Sequence, residues 1–250
     1  MPVAQINHAR AVPSRRRRLL GAGGTLFLAG LALFLSVLDG VRGRTDLSVW
    51  DSPVLRWLLT HRSGAATAVF ARISWLADPP VLATVGFIVI VTLVWRTRRV
   101  RPGLLLGGAL ALAAATSSAV KVLVARPRPP LAVMITPREL DFAFPSGHTL
   151  GAATFLLVLS YLWWVRRPTA RVALAGLAVS ALGTIAVGVS RLYLGYHWLT
   201  DVSASATLAI AILGGVVVVD ALIPWKPAPP DHHRVSTPPV GSAQSRRTHD

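Results

Sequence analysis

The chain has 250 residues, of which 53% are hydrophobic and only 14% charged; its formal net charge is +16 and it has no cysteine. So little charge spread among long apolar runs excludes an ordinary water-soluble domain, which carries roughly 25% charged residues, and points to a membrane protein. The missing cysteines exclude disulfides, thiolate catalysis, Fe–S clusters and cysteine-ligated zinc.

Taken in chain order, residues 1–18 read as a disordered basic cytoplasmic tail closing on the arginine run 15–18. Residues 19–38 are about 20 apolar positions, enough to cross a bilayer core. They are too long for a signal-peptide core and no small-residue cleavage site is clear after them, so the first helix is expected to be retained. The stretch 39–78 is less hydrophobic. Ser52 followed by Pro53 makes a reasonable helix start, and Trp50, Val54, Trp57 and Leu58 share one helical face, with Arg56 and Arg62 elsewhere. This describes an interfacial helix with tryptophans at headgroup depth, or an amphipathic helix packed on the bundle.

Five more apolar spans follow, at approximately 79–95, 103–124, 149–165, 169–189 and 199–223. The expectation is therefore all-α: a polytopic membrane bundle of about six transmembrane helices, residues 19–223, with an additional interfacial helix in the first outer loop. Residues 224–250, rich in proline, serine and arginine, read as a second disordered cytoplasmic tail. His232 and His233 in it read as a solvated pair rather than a metal site.

The basic residues fall in short runs between spans, notably 96–101 and 166–171, which is how membrane proteins fix orientation. A nucleic-acid binder would present a continuous basic face instead, so nucleic acid is not expected as a partner. With residues 15–18 inside, six spans return the C-terminus to the cytoplasm. The inner loops then hold Arg96, Arg98, Arg99, Arg101, Arg166, Arg167 and Arg171, and segments 39–78, 125–148 and 190–198 face outward. The acidic residues are scattered, with one glutamate, Glu139. Two-metal phosphatases need several converging carboxylates, and no metal or cofactor is expected here.

Three polar stretches interrupt the apolar sequence. In the first, Lys121 lies near the outer end of a span and Arg128 seven residues on, with Pro127 expected to end the helix near Ala125. Two cations turned toward one cavity suit a phosphate; snorkelling to headgroups is the alternative. The second, Pro145-Ser146-Gly147-His148, opens a helix, and a helix N-terminus favours anions; a plain helix cap beside an incidental histidine is the alternative. In the third, His197 and Asp201 are four apart, the spacing of one helix face. A carboxylate taking a hydrogen bond from one imidazole nitrogen leaves the other unprotonated, as a nucleophile requires. Arg191 precedes them and can bind the same anion. A structural His–Asp pair is the alternative.

Lys-x6-Arg-Pro, then Pro-Ser-Gly-His, then Ser-Arg-x5-His-x3-Asp, all present and in order, resemble the signature of the type 2 phosphatidic acid phosphatase superfamily. That superfamily also includes vanadium haloperoxidases and bacterial class A acid phosphatases. The resemblance covers about residues 80–222 and implies the six-helix architecture of its membrane lipid phosphatase branch. It implies a metal-independent hydrolase in which His197 attacks phosphorus to form a phosphohistidine and Asp201 orients it. His148 would protonate the leaving oxygen and then activate water. Lys121, Arg128, Ser146, Gly147 and Arg191 would cradle the phosphoryl oxygens. The implied partner is a lipid phosphate, of the phosphatidate or polyprenyl diphosphate class such as undecaprenyl diphosphate, hydrolysed at the outer face of the plasma membrane. A vanadium-dependent haloperoxidase and a non-hydrolytic lipid carrier are the alternatives. Arg126 and Arg138 read as solvated loop arginines that could also hold a lipid phosphate. Tyr193 and Tyr196 read as packing or interfacial residues, and Asp220, near the inner end of the last helix, has no assigned role.

Overall fold

The computed structural model describes residues 11–223; the segments 1–10 and 224–250, with most of the expected tails and with His232 and His233, lie outside the described residues. The described residues form eight α-helices and no strand. Six are long and apolar enough to span a bilayer: α1 (Ala11–Gly43), α4 (Pro79–Thr97), α5 (Arg101–Val124), α6 (Gly147–Arg166), α7 (Ala170–Tyr193) and α8 (Leu199–Leu222). Helix α1 begins at Ala11, so the arginines at 15–18 form its early turns instead of a tail.

The span boundaries follow local chemistry. Pro79 and Pro80 start α4, where a missing N–H costs nothing, with Asp78 as the flanking residue. Ser146 and Thr169 cap α6 and α7 through their hydroxyl oxygens, satisfying amide donors that the first turn leaves open. Helix α5 stops at Val124 with Ala125 in the left-handed region, φ 48°, ahead of Pro127. This places Lys121 in the last turn of its helix.

Helices α1 and α8 pack closest. A Cβ on Gly30 would lie 2.5 Å from the amide nitrogen of Ala211, and one on Gly214 would lie 2.3 Å from that of Phe27. Lipid tails supply no hydrophobic drive between helices, so close backbone approach at small residues supplies the van der Waals contact instead. The core runs along α5, α6 and α8, where Leu106, Leu150, Val158, Ala204 and Ala209 are fully buried. Leu104, Val122, Leu123, Phe87 and Leu182 are each more than 60% exposed, as lipid-facing side chains are.

The first connecting segment holds two short helices where one was expected: α2 (Asp51–Thr60) and α3 (Gly64–Leu76), the former preceded by a 3-10 turn. Helix α2 starts one residue before Ser52, and no side chain caps it. Its expected face is divided: Leu58 is buried, while Trp50 and Trp57 are about 60% exposed. Cross-links tie this segment to the loops 125–146 and 194–198. Arg62 donates to the carbonyls of Tyr193 and Val133, and Ile135 donates to that of Leu194. All three polar segments therefore meet at one end of the bundle. At the other end Arg101 pairs with Asp220, which also accepts from the Tyr161 hydroxyl at 2.7 Å.

Candidate active site

His197 lies just ahead of α8, after a turn at Gly195 whose φ of +81° and 2.6 Å clearance to the Val133 carbonyl leave no room for a side chain. The turn brings the imidazole back over the start of α8. Its Nδ1 is 3.3 Å from Asp201 Oδ2, and its Nε2 is 3.1 Å from an Arg128 guanidinium nitrogen. A guanidinium only donates, so Nε2 is the acceptor and the proton sits on Nδ1, facing the carboxylate. Burial first, then Arg191 and Arg128, push the His197 pKa well below the ordinary histidine value. The ring is neutral at neutral pH, with its lone pair directed among the cations.

Arg128 is held by the Tyr196 carbonyl at 2.8 Å. Arg191, in the last turn of α7, is almost fully buried. It donates to Ser74 of α3 at 2.7 Å and stacks on Tyr196, with 4.2 Å from guanidinium carbon to ring centre. His148, in the first turn of α6, has Asp78 Oδ1 at 3.1 Å and an Arg191 nitrogen at 3.5 Å from its Nε2. Lys121 pairs with Asp141. Lys121, Arg128, His148, Arg191 and His197 thus come together from α5, the loop after it, α6, α7 and the loop before α8. Gly147 lines a cavity of about 320 Å3 together with Lys121, Asp141 and apolar side chains of α4 and α5. Ser146 is wholly buried, and its hydroxyl oxygen serves the first turn of α6 through the backbone and hydroxyl of Thr149.

Two carboxylates bind the cations together. Glu139 bridges Arg128, at 2.7 Å, and Arg191; Asp141 bridges Lys121 and Arg128, the latter at 2.5 Å. For both, burial alone would raise the pKa. For Glu139 the charges of Arg191 and Arg128 outweigh it, and for Asp141 the bond from Lys121 with Arg128 does so; each carboxyl is held below its ordinary value. Neither was marked by spacing in the sequence, nor were Asp78, which reaches His148 from just before α4, and Ser74, which reaches Arg191 from α3.

Arg126 is not a solvated loop arginine. Its Nη1 contacts Asp201 Oδ1 and donates to Thr200 at 2.7 Å, and its Nη2 donates to Asp51 at 2.6 Å. Asp201 is fully buried, and leaving such a carboxylate without its counter-ion costs about 3–5 kcal/mol. Arg138, in contrast, is exposed. Tyr193 and Tyr196 pack against Phe70 and Arg191 and use their hydroxyls on backbone groups of Ser63 and Ile135.

Fold and site together define a polytopic helical membrane protein with a cationic, histidine-bearing pocket at one end of its bundle. Residues 102–222 match the family model described as PAP2 superfamily. It is 41% identical over 76 residues to phosphatidylglycerophosphatase B of Escherichia coli (strain K12), covering 30% of this chain and 28% of that protein. To the Bacillus subtilis (strain 168) phosphatidylglycerophosphatase B it is 31% identical over 94 residues, covering 37% and 45%. The chain thus matches less than half the length of either relative. Its fold is similar to the crystal structure of the first transmembrane PAP2 type phosphatidylglycerolphosphate phosphatase from Bacillus subtilis. That likeness has a TM-score of 0.69 at 23% identity and covers 77% of this chain and 96% of the other. The crystal structure of Aquifex aeolicus LpxE gives 0.52 at 24% identity, covering 68% and 94%. At these identities the structural likeness is one of fold.

Proposed function

We propose that this chain is a membrane-embedded phosphatase that hydrolyses a lipid phosphate through a phosphohistidine on His197. The observation that carries the reading is the neutral His197 imidazole, its Nδ1 facing a buried carboxylate and its Nε2 lone pair set 3.1 Å from Arg128. An uncharged imidazole with that tautomer is a nucleophile, and the cations around it are what a phosphoryl group needs, since its transition state spreads negative charge over three oxygens.

The substrate phosphate enters by taking the places of Glu139 and Asp141 on Lys121, Arg128 and Arg191. The backbone at Gly147, in the turn that Ser146 holds, adds donors at a helix start. Nε2 of His197 then bonds to phosphorus as the bond to the lipid oxygen breaks, and His148 gives that oxygen its proton. In the second half, His148 takes a proton from water, the water oxygen bonds to phosphorus, and the P–N bond breaks to release phosphate and restore His197. Asp201 keeps the ring oriented throughout. The site faces the outside of the plasma membrane, both termini are cytoplasmic, and no metal ion takes part.

The relatives' names make phosphatidylglycerophosphate one lipid to test, beside phosphatidate and undecaprenyl diphosphate. All present a phosphate at headgroup depth. The test is phosphate release from each lipid by the purified chain in detergent after exhaustive chelation, with samples quenched in alkaline dodecyl sulfate and probed for alkali-stable, acid-labile protein-bound phosphate. His197→Ala is expected to abolish both signals. His148→Ala is expected to slow turnover by about 10²–10⁴ while some labelling persists. Wild-type activity lost to chelation and restored by magnesium would overturn the metal-free mechanism, and no release from any lipid would overturn the reading.

A further inference from the structure

We propose that Arg126 and Asp51 are positioning residues for the reaction: together they hold Asp201 charged and turned so that one of its oxygens is left for His197. The inference rests on the phosphatase reading above.

The two oxygens of Asp201 have different partners. Oδ1 is taken by Arg126. Oδ2 accepts from the Trp198 amide at 2.9 Å and faces His197 Nδ1 at 3.3 Å. A carboxylate free to rotate would offer either oxygen to the ring; this one is fixed at both. Full burial also disfavours its charge unless a cation is adjacent, and Arg126 is that cation.

Arg126 is in turn fixed by a second buried carboxylate. Asp51, 5% exposed, accepts from Arg126 Nη2. It also accepts from the Thr200 amide at 2.9 Å and from the Thr200 hydroxyl. Thr200 adjoins Asp201 in the first turn of α8, so helix α2 is clamped to the turn that carries the aspartate. The Arg126 side chain makes no ion pair with Glu139 or Asp141, the carboxylates that bridge Lys121, Arg128 and Arg191. It acts on the nucleophile's support, behind the phosphate-facing cluster. Asp51 lies outside the 102–222 region that matches the superfamily, so part of the support comes from a separate stretch of chain.

The alternative is a staple that holds α2 in place and does nothing for the imidazole. A staple, when cut, loosens the anion pocket and the fold together. A positioning pair, when cut, lowers kcat while the three phosphate-facing cations still bind an anion. The experiment compares the full-length chain with Arg126→Met, Arg126→Lys and Asp51→Asn in detergent, measuring kcat and KM on whichever lipid phosphate the wild type hydrolyses, and competitive inhibition by inorganic phosphate. Arg126→Met is expected to lose about 100-fold or more in kcat, as loss of a histidine-orienting group does. KM and the phosphate inhibition constant should stay within about threefold. Arg126→Lys is expected to recover part of the loss, because it restores the charge beside Asp201. Asp51→Asn keeps the shape of the clamp and is expected to lower kcat at unchanged phosphate inhibition; it decides the matter alone should Arg126→Met not fold. Kcat kept within about threefold in the variants that fold, or kcat and phosphate binding lost in parallel, overturns the proposal. A wild-type chain that hydrolyses none of the lipids overturns the phosphatase reading itself, which His197→Ala cannot then rescue as a control.

Discussion

Lost hydration first, and the adjacent Arg191 and Arg128 second, hold the His197 imidazole well below the ordinary histidine pKa, and this sets the pH response of the site. The nucleophile proposed for His197 must be unprotonated, so on that proposal the active form is expected to persist as pH falls past the ordinary value of about 6.5 and to be lost only far below it. In kcat/KM, which reports the free enzyme, the acid limb assigned to His197 should lie well under pH 6.5 after correction for the substrate's own ionisation. Replacing Arg128 by Gln removes a cation that opposes protonation, so the residual activity of that variant should show the limb at higher pH. A limb near 6.5 in the wild type, or one that does not move in Arg128→Gln, would contradict the electrostatics described. At this scale the sequence was readable where spacing carries the information. Lys121, Arg128, His148, Arg191, His197 and Asp201 stand in fixed intervals, and the chain folds those intervals into contact. Asp51 and Asp78 are single acidic residues in a segment without a motif. Asp51 meets Arg126 from 75 residues away and Asp78 meets His148 from 70, separations that only tertiary packing closes.

The element that separates this site from an open anion pocket is the loop between α5 and α6. It delivers Glu139 and Asp141 onto the cations that a phosphate would use. Both carboxyls are held below their ordinary pKa by those same cations, so they remain charged competitors at neutral pH. Glu139→Gln and Asp141→Asn keep the loop's shape and remove the competition. Each is expected to tighten competitive inhibition by inorganic phosphate, and the double variant by about tenfold, equivalent to ~1.4 kcal/mol. Weaker inhibition in both variants would mean that the carboxylates serve to organise the arginines. The spans themselves were legible because about 20 apolar residues have few other uses. The connecting segment 44–78 was legible only in part. Its short helices bury Asp51, Leu55 and Leu58 on the bundle while Trp50 and Trp57 stay exposed, and mixed polarity of that kind does not say which face will find a partner.

For the whole molecule, the charge distribution makes a statement about direction. Arg96, Arg98, Arg99, Arg101, Arg166, Arg167 and Arg171 cluster at the end of the bundle opposite the pocket, where basic loops favour the cytoplasm. The pocket end carries basic residues too, with Arg42, Arg44, Arg56, Arg62, Arg72 and Arg138 beside Lys121, Arg126, Arg128 and Arg191, but they are spread along its loops and not gathered into runs like 15–18, 96–101 and 166–171. The dense arginine runs of the far end are expected to keep it in the cytoplasm and so to place the pocket outside. Because the chain has no cysteine, single cysteines report side without background. Leu140, 83% exposed in the loop over the pocket, and Val100, 63% exposed between α4 and α5, are suitable positions. In intact cells a membrane-impermeant maleimide should modify Leu140→Cys, and should reach Val100→Cys only after the membrane is opened. The reverse pattern would put the pocket in the cytoplasm and restrict its substrates to lipid phosphates of the inner leaflet, with the arginine-rich loops then held outside against their usual preference.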